Sequence, residues 1–290
     1  MTLGPRETRD LLARHGLRPR TSIGQHFMVD ANTVRRVVQI AGFAPGTQVL
    51  EVGPGLGTLS VALIDAGARL IAIEWDRALE PALVEVLGAR EATLVWGDAL
   101  KVDVRALVGK RDTAMVANLP YQIATPLVMD LLEEVPRIRS YTVMVQREVG
   151  DRLVARPGQD AYGAVSAKIA YFAEASIAFR VSRRVFSPMP DVESVVVRLD
   201  RRARPAVAGG RERIFAVIEA GFAQRRKTIR RALRGGGWDA SDVEAALEGA
   251  GVAGEDRAET LGLAEFSALA RRLPPRPGLR PGGRARKVTR

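Results

Sequence analysis

From Thr47 onward, short β-rich runs alternate with helix-length stretches, and this alternation constrains the fold more than any other feature of the chain. The runs are "TQVLEV", "RLIAIE", "ATLVW", "TAMVAN", "YTVMVQ", "SIAFRV" and "SVVVRL". Helix-length segments separate the first five, the pattern of an open α/β sheet whose parallel strands are joined by right-handed crossovers. The last two lie closer together, with "RRVFSPMPDVE" between them. They suit an antiparallel hairpin closing the sheet edge, with Pro188 and Pro190 in its loop.

Residues 1–200 therefore read as one α/β domain. "RRARPAVAGG" then shifts to Pro and Gly without periodicity, a linker over residues 201–210. A small all-α domain follows over 211–273. In "RERIFAVIEAGFAQRRKTIRRALRG" the spacing puts Ile214, Val217, Ile218, Phe222, Ile229 and Leu233 on one face of a single helix that ends at the Gly235 to Gly237 run. "SDVEAALEGAG" and "LAEFSALARRL" predict further helices, with Ser241 and Asp242 as N-cap candidates for the first. The tail over 274–290 is basic, rich in Pro and Gly, and expected to be disordered alone.

Charge and composition narrow the chemistry. A formal charge of +11 and a pI near 10.8 point to a polyanionic partner without choosing among RNA, DNA and membrane. The absence of cysteine excludes disulfides, thiolate metal sites and cysteine nucleophiles, and two histidines, His15 and His26, make a metal cage unexpected. The N-terminus carries charge from Arg6 and has no apolar core of a leader, and no run approaches about 18 apolar residues. A soluble cytoplasmic protein without membrane or metal is expected.

"VLEVGPGLGTLSVAL" runs from strand through Gly53, Gly55 and Gly57 into a helix, whose first N–H groups are unpaired. The spacing is Glu-x-Gly-x-Gly-x-Gly, not the Gly-x-Gly-x-x-Gly of a dinucleotide turn. Glu74 ends the next strand, where its carboxylate would meet ribose hydroxyls in either a dinucleotide or an adenosyl site. Asp98 ends the third strand, beside the same crevice, as an acceptor for an adenine amine or as a plain helix cap. Asn118 ends the fourth, followed by Leu119, Pro120 and Tyr121. An exocyclic amine could donate to the Asn118 amide oxygen and the Leu119 carbonyl while its base stacks on Tyr121, with Pro120 stiffening the turn.

The set "EVGPGLG", "IAIEWD", "GDA" and "NLPY", with "SIGQHFMVD" before it and "VQREVGDRLVARPGQDAYGAVS", "VFSPMPDVESVVVRL" and "FAQRRKTIRRAL" after it, closely resembles the KsgA family over residues 23–273. The resemblance implies a class I methyltransferase (Rossmann-like) fold, with a mostly parallel seven-stranded sheet and a C-terminal all-α domain. It implies S-adenosyl-L-methionine as methyl donor and dimethylation of N6 on two adjacent adenosines near the 3′ end of 16S rRNA in the small ribosomal subunit. By the same resemblance His26, Met28, Gly53, Gly55, Glu74, Asp98 and Asn118 contact the donor, and Asn118, Leu119, Pro120 and Tyr121 form the adenine-N6 site. Phe186 is a candidate for the base's other face, with buried packing as its alternative, and Arg225, Arg226 and Lys227 are candidate RNA contacts. The family more often has Asn at His26 and Leu at Met28, while Asp191 and Arg231 stand where a Lys and an Asn are expected.

Direct displacement by the amine, without a strong base, is the expected mechanism. Competing readings are an Erm-type methyltransferase of 23S rRNA, a non-catalytic ribosome-assembly factor that binds RNA, and an NAD-dependent oxidoreductase, which the glycine spacing disfavours. A monomer is expected.

Overall fold

The structure, a computed structural model, describes residues 3–21, 24–224 and 226–276. Nine strands form: β1 Phe27–Met28, β2 Gln48–Val52, β3 Arg69–Glu74, β4 Ala92–Trp96, β5 Thr113–Asn118, β6 Ile138–Gln146, β7 Ala173–Val181, β8 Phe186–Ser187 and β9 Ser194–Arg201. All seven strands expected from sequence are present. They make one seven-stranded sheet in the order β4-β3-β2-β5-β6-β9-β7. β2, β3, β4, β5 and β6 pair in parallel, and β9 is antiparallel to both β6 and β7. The expected hairpin exists, but its second strand lies inside the sheet and its first forms the edge.

Central strands are apolar at successive positions because helices cover both faces. Val49 and Leu50, pointing to opposite faces, are each fully buried, as are Val116 and Ala117. The edge strand β4 is only half-buried. Since β2 neighbours both β3 and β5, the chain leaves the sheet in opposite directions from two adjacent strands. Their carboxyl ends then diverge and open a crevice, the general position of ligands in such sheets. Val52 and Asn118 end at that place.

Chain contacts divide the protein into two compact units: residues 1–154 with 172–204, and 155–171 with 205–290. The helix Ala164–Phe172 and the loop before it thus group with the C-terminal helices rather than with the sheet domain in which the sequence placed them. Aromatic contacts account for this. Tyr171 meets Phe215 edge-on at 5.4 Å, Tyr162 meets Phe222 at 5.7 Å, and the Tyr162 hydroxyl donates to the Leu261 carbonyl at 2.9 Å.

In this second unit the single helix expected over "RERIFAVIEAGFAQRRKTIRRALRG" is two, Arg211–Phe222 and Ile229–Gly235. Between them the backbone of Thr228 is extended and bridges to Arg257, and the Ile229 N–H donates to the Asp256 carbonyl at 2.6 Å. The run Gln224 to Lys227 has no apolar side chain to hold another helical turn on the core. Ile214, Val217, Ile218, Ile229 and Leu233 are all buried as the spacing required. The helix Ala240–Ala250 is preceded by Asp239, which takes the N-cap position expected for Ser241 or Asp242. Arg225 and residues 277–290 of the tail lie outside the described residues.

Candidate active site

The glycine loop begins where β2 stops. Gly53 still donates its N–H to the Ile73 carbonyl of β3 at 2.9 Å, and the backbone then turns through positive φ at Gly53 (73°), Gly55 (59°) and Gly57 (83°). Any other L-residue would be strained there, by about 1–2 kcal/mol at each position. A Cβ at Gly55 would also lie 3.1 Å from the Phe27 ring. Glycine therefore keeps the loop low and leaves space above it.

Glu74 fixes that loop from the neighbouring strand. Its carboxylate accepts the Gly55 N–H at 3.1 Å and the Asp76 N–H at 2.8 Å. It is 8% exposed, and burial pushes its pKa above the ordinary carboxylate range against the pull of these N–H groups. Beside it, Asp98 accepts the Leu100 N–H at 3.0 Å and lies 3.6 Å from the Lys101 ammonium. Both readings of Asp98 hold: it caps a turn and lines the same cavity as Glu74.

Asn118, at the end of β5, donates its Nδ2–H to the His26 carbonyl at 3.4 Å, which leaves its Oδ1 as an acceptor. Leu119 anchors the next step: its side chain is 1% exposed and its N–H donates to the Met144 carbonyl at 3.0 Å. Pro120 has no N–H, and its carbonyl accepts from Ile123 at 3.2 Å. The Tyr121 hydroxyl lies 3.3 Å from Ser194 Oγ, and burial raises its pKa. The His26 ring stacks towards Tyr121, centroids 6.0 Å apart and planes at 27°. His26 Nδ1 donates to the Pro188 carbonyl at 2.8 Å, so in the neutral ring Nε2 is the acceptor.

These groups converge on one cavity of about 370 Å³, which His26, Gly53, Gly55, Glu74, Asp98, Asn118, Leu119, Pro120 and Tyr121 all line. Two sequence candidates stand elsewhere in this unit. Met28 is buried in β1 and touches only a smaller annex behind the glycine loop. Phe186, offered for the face of a base, is 4% exposed and packs in the core with Met28, Val34 and Val181, so its alternative of buried packing is the correct one. It pairs with Met28 across the short β1–β8 ribbon, which turns its ring inward. Arg226 and Lys227 are exposed in the second unit, and Arg225 lies outside the described residues.

Several lining or supporting residues escaped the sequence reading. Trp75, 59% exposed, directly follows Glu74 and lines the cavity. Asp76 is buried, yet ion pairing with Arg20 and a 2.6 Å hydrogen bond from Gln25 hold its carboxyl below the usual range and pin the N-terminal segment to the cavity rim. An exposed Trp beside an acid that ends a strand was the available signal; the Gln25–Asp76 pair had none. Among the described residues no cluster of three metal-ligating side chains occurs, and no helix is long and apolar enough to cross a membrane.

Residues 16–273 match the family model described as ribosomal RNA adenine dimethylase. The chain is 46% identical over 279 residues to Ribosomal RNA small subunit methyltransferase A of Streptomyces griseus, covering 94% of this chain and 95% of that one. It is 45% identical to the protein of the same name from Moorella thermoacetica over 280 residues, 93% of this chain and 97% of the other. Among solved structures, the 23S rRNA methyltransferase ErmE is 29% identical, with a TM-score of 0.69 over 85% of this chain and 99% of its own. A dimethyladenosine transferase from Plasmodium falciparum, 22% identical, shares the fold with a TM-score of 0.72 over 84% of this chain and 96% of its own.

Proposed function

The chain belongs to the ribosomal RNA adenine dimethylase family and is an S-adenosylmethionine-dependent rRNA adenine N6-dimethyltransferase, and we propose that it modifies two adjacent adenosines in the 3′-terminal hairpin of 16S rRNA within the small ribosomal subunit. The observation that carries this reading is the convergence, in one cavity, of the Glu74-braced glycine loop with the Asn118–Tyr121 strand end.

The cavity suits an adenosyl donor on its own chemistry. Glu74 and Asp98, at adjacent strand ends, supply acceptors for ribose hydroxyls and an adenine amine, and Trp75 with Leu79 and Ile73 supplies apolar wall. When bound, S-adenosylmethionine supplies an electrophilic methyl group on a sulfonium. The protein's part is to hold the attacking amine. A flipped adenine stacks on Tyr121, and its N6 donates to Asn118 Oδ1 and the Leu119 carbonyl. Both acceptors are rigid: one by the Asn118–His26 contact, the other by the buried Leu119 side chain and its bond to Met144. They favour a pyramidal nitrogen as positive charge develops, so no general base is required. No residue of the cavity need take the proton at the moment of transfer.

Arg226 and Lys227, with Arg225, are the proposed phosphate contacts, the sequence-independent part of RNA binding. The protein acts in the cytoplasm as a monomer, in this reading. Tritiated methyl transfer to unmodified 30S and 50S particles tests it: label in 30S, recovered as dimethyladenosine, is expected, and label in 50S alone would establish the ErmE-like alternative. An Asn118→Ala variant that still matured small subunits would add a scaffold role for the same surfaces.

A further inference from the structure

Behind the glycine loop lies an annex of about 40 Å³ that shares His26, Phe27, Gly53, Gly55 and Asn118 with the main cavity. Glu51 forms part of its wall, although it is only 1% exposed. Its Oε2 accepts the Ser60 hydroxyl at 2.6 Å, and no donor among the described residues reaches its Oε1. Buried carboxyls normally satisfy both oxygens, because an unpaired polar atom out of water costs about 1–3 kcal/mol. An acid that faces a small cavity with one oxygen spare is a site for a donor the protein does not itself provide. The annex holds a group of very few heavy atoms, since a single water occupies about 30 Å³ of liquid.

The charges around Glu51 set what that group is. β3 presents Glu74, whose like charge disfavours ionisation of Glu51. The segment before β1 presents His26, β5 presents the uncharged Asn118, and the helix Thr58–Asp65 presents the Ser60 and Thr58 hydroxyls. Burial, with Glu74 adding to it and Ser60 opposing, pushes the Glu51 pKa to about 8, so the side chain is mainly neutral at pH 7. An arriving cation reverses that preference, because an opposite charge within a few ångströms in a water-poor site favours the carboxylate. Resting on the methyl-donor reading above, we propose that the annex takes the α-ammonium at the amino-acid end of the donor, and that Glu51 gives up its proton to solvent as the ammonium docks. The O–H bond of Glu51 breaks, the proton passes to buffer, and the carboxylate accepts from the ammonium; no electrons change hands. Donor and demethylated product both carry the ammonium, so both bind with proton release.

Calorimetric titration of S-adenosylhomocysteine into the whole protein near pH 7, in buffers of low and high ionisation enthalpy, reads this directly. Release approaching one proton is expected. Methylthioadenosine, which lacks the ammonium, is expected to bind with none, and Glu51→Gln to abolish release for S-adenosylhomocysteine. His26→Asn is expected to retain it, which separates Glu51 from the other titratable group at the annex. S-adenosylhomocysteine binding without proton release, or equal release with methylthioadenosine, would overturn the inference while leaving the methyltransferase intact. The native comparison of the two ligands decides the matter even where Glu51→Gln does not fold. Failure of S-adenosylhomocysteine to bind the native protein at all would overturn the donor reading as well.

Discussion

The Glu74 carboxylate accepts the Gly55 N–H at 3.1 Å, so the acid that ends one strand holds the loop that follows its neighbour. The same carboxylate braces Asp76, which in turn fastens Gln25 and Arg20. One side chain thus shapes the floor and rim of the cavity and remains available to a ligand.

Glu74→Ala should weaken S-adenosylhomocysteine binding by about 10- to 100-fold, the loss of a charged hydrogen-bonding group worth about 1.5–3 kcal/mol. Glu74→Gln keeps an acceptor for the Gly55 N–H and should lose less. Calorimetry on both variants checks the order, and equal losses would mean that the loop contact contributes nothing.

Asn118→Ala removes the one side-chain acceptor aimed at the amine. Turnover on small-subunit particles should fall by about 10²- to 10³-fold, the usual cost of losing a group that acts on developing charge. The fall in kcat should exceed any change in S-adenosylhomocysteine affinity, because the Leu119 carbonyl and the glycine loop are untouched. Single-turnover methylation and calorimetry together measure that split.

Tyr121 contributes a ring face in this account, and its hydroxyl only reaches Ser194 at 3.3 Å. Tyr121→Phe should therefore keep methylation within a few-fold, whereas Tyr121→Ala should lose about 5- to 150-fold, the range expected for about 1–3 kcal/mol of base stacking. Comparable losses in both variants would assign the role to the hydroxyl instead.

Trp75 is exposed and lines the cavity, while Trp238 is buried in the second unit. Binding of S-adenosylhomocysteine should change the intrinsic fluorescence, and Trp75→Phe should remove most of that change. A signal undiminished in Trp75→Phe would place the ligand away from this wall.

The sheet was legible because each strand is an apolar run bounded by Gly, Pro or a polar residue, and Glu74, Asp98 and Asn118 are those boundary residues. Their convergence followed from the rule that parallel strands carry ligands at their carboxyl ends. What stayed hidden has no periodicity to read. The β1–β8 ribbon is only two residues long on each side, yet it decides that Phe186 is core and not cavity wall. The break near Thr228 depends on pairing with Arg257, a contact between distant parts of the chain. Glu51 was visible as the first letter of the loop motif, but only the burial of its side chain and the empty side of its carboxyl distinguish it from a surface acid.

That burial makes Glu51 a pH-dependent term in stability. Its pKa in the folded protein is about 8, above the unfolded value near 4.5. Between those two values the unfolded chain loses the proton that the folded chain retains, so the folded state is disfavoured progressively as pH rises. The contribution is fully present below the unfolded pKa and is lost by the time pH passes the folded one. The span corresponds to a few kcal/mol, on the order of about 1.4 kcal/mol for each pH unit crossed. Glu51→Gln cannot ionise. Without ligand, the difference in stability between variant and native protein should therefore move in the variant's favour from about pH 5 to about pH 8, as read by denaturant titration at each pH. Parallel curves for the two proteins across that window would mean that Glu51 titrates normally in the fold.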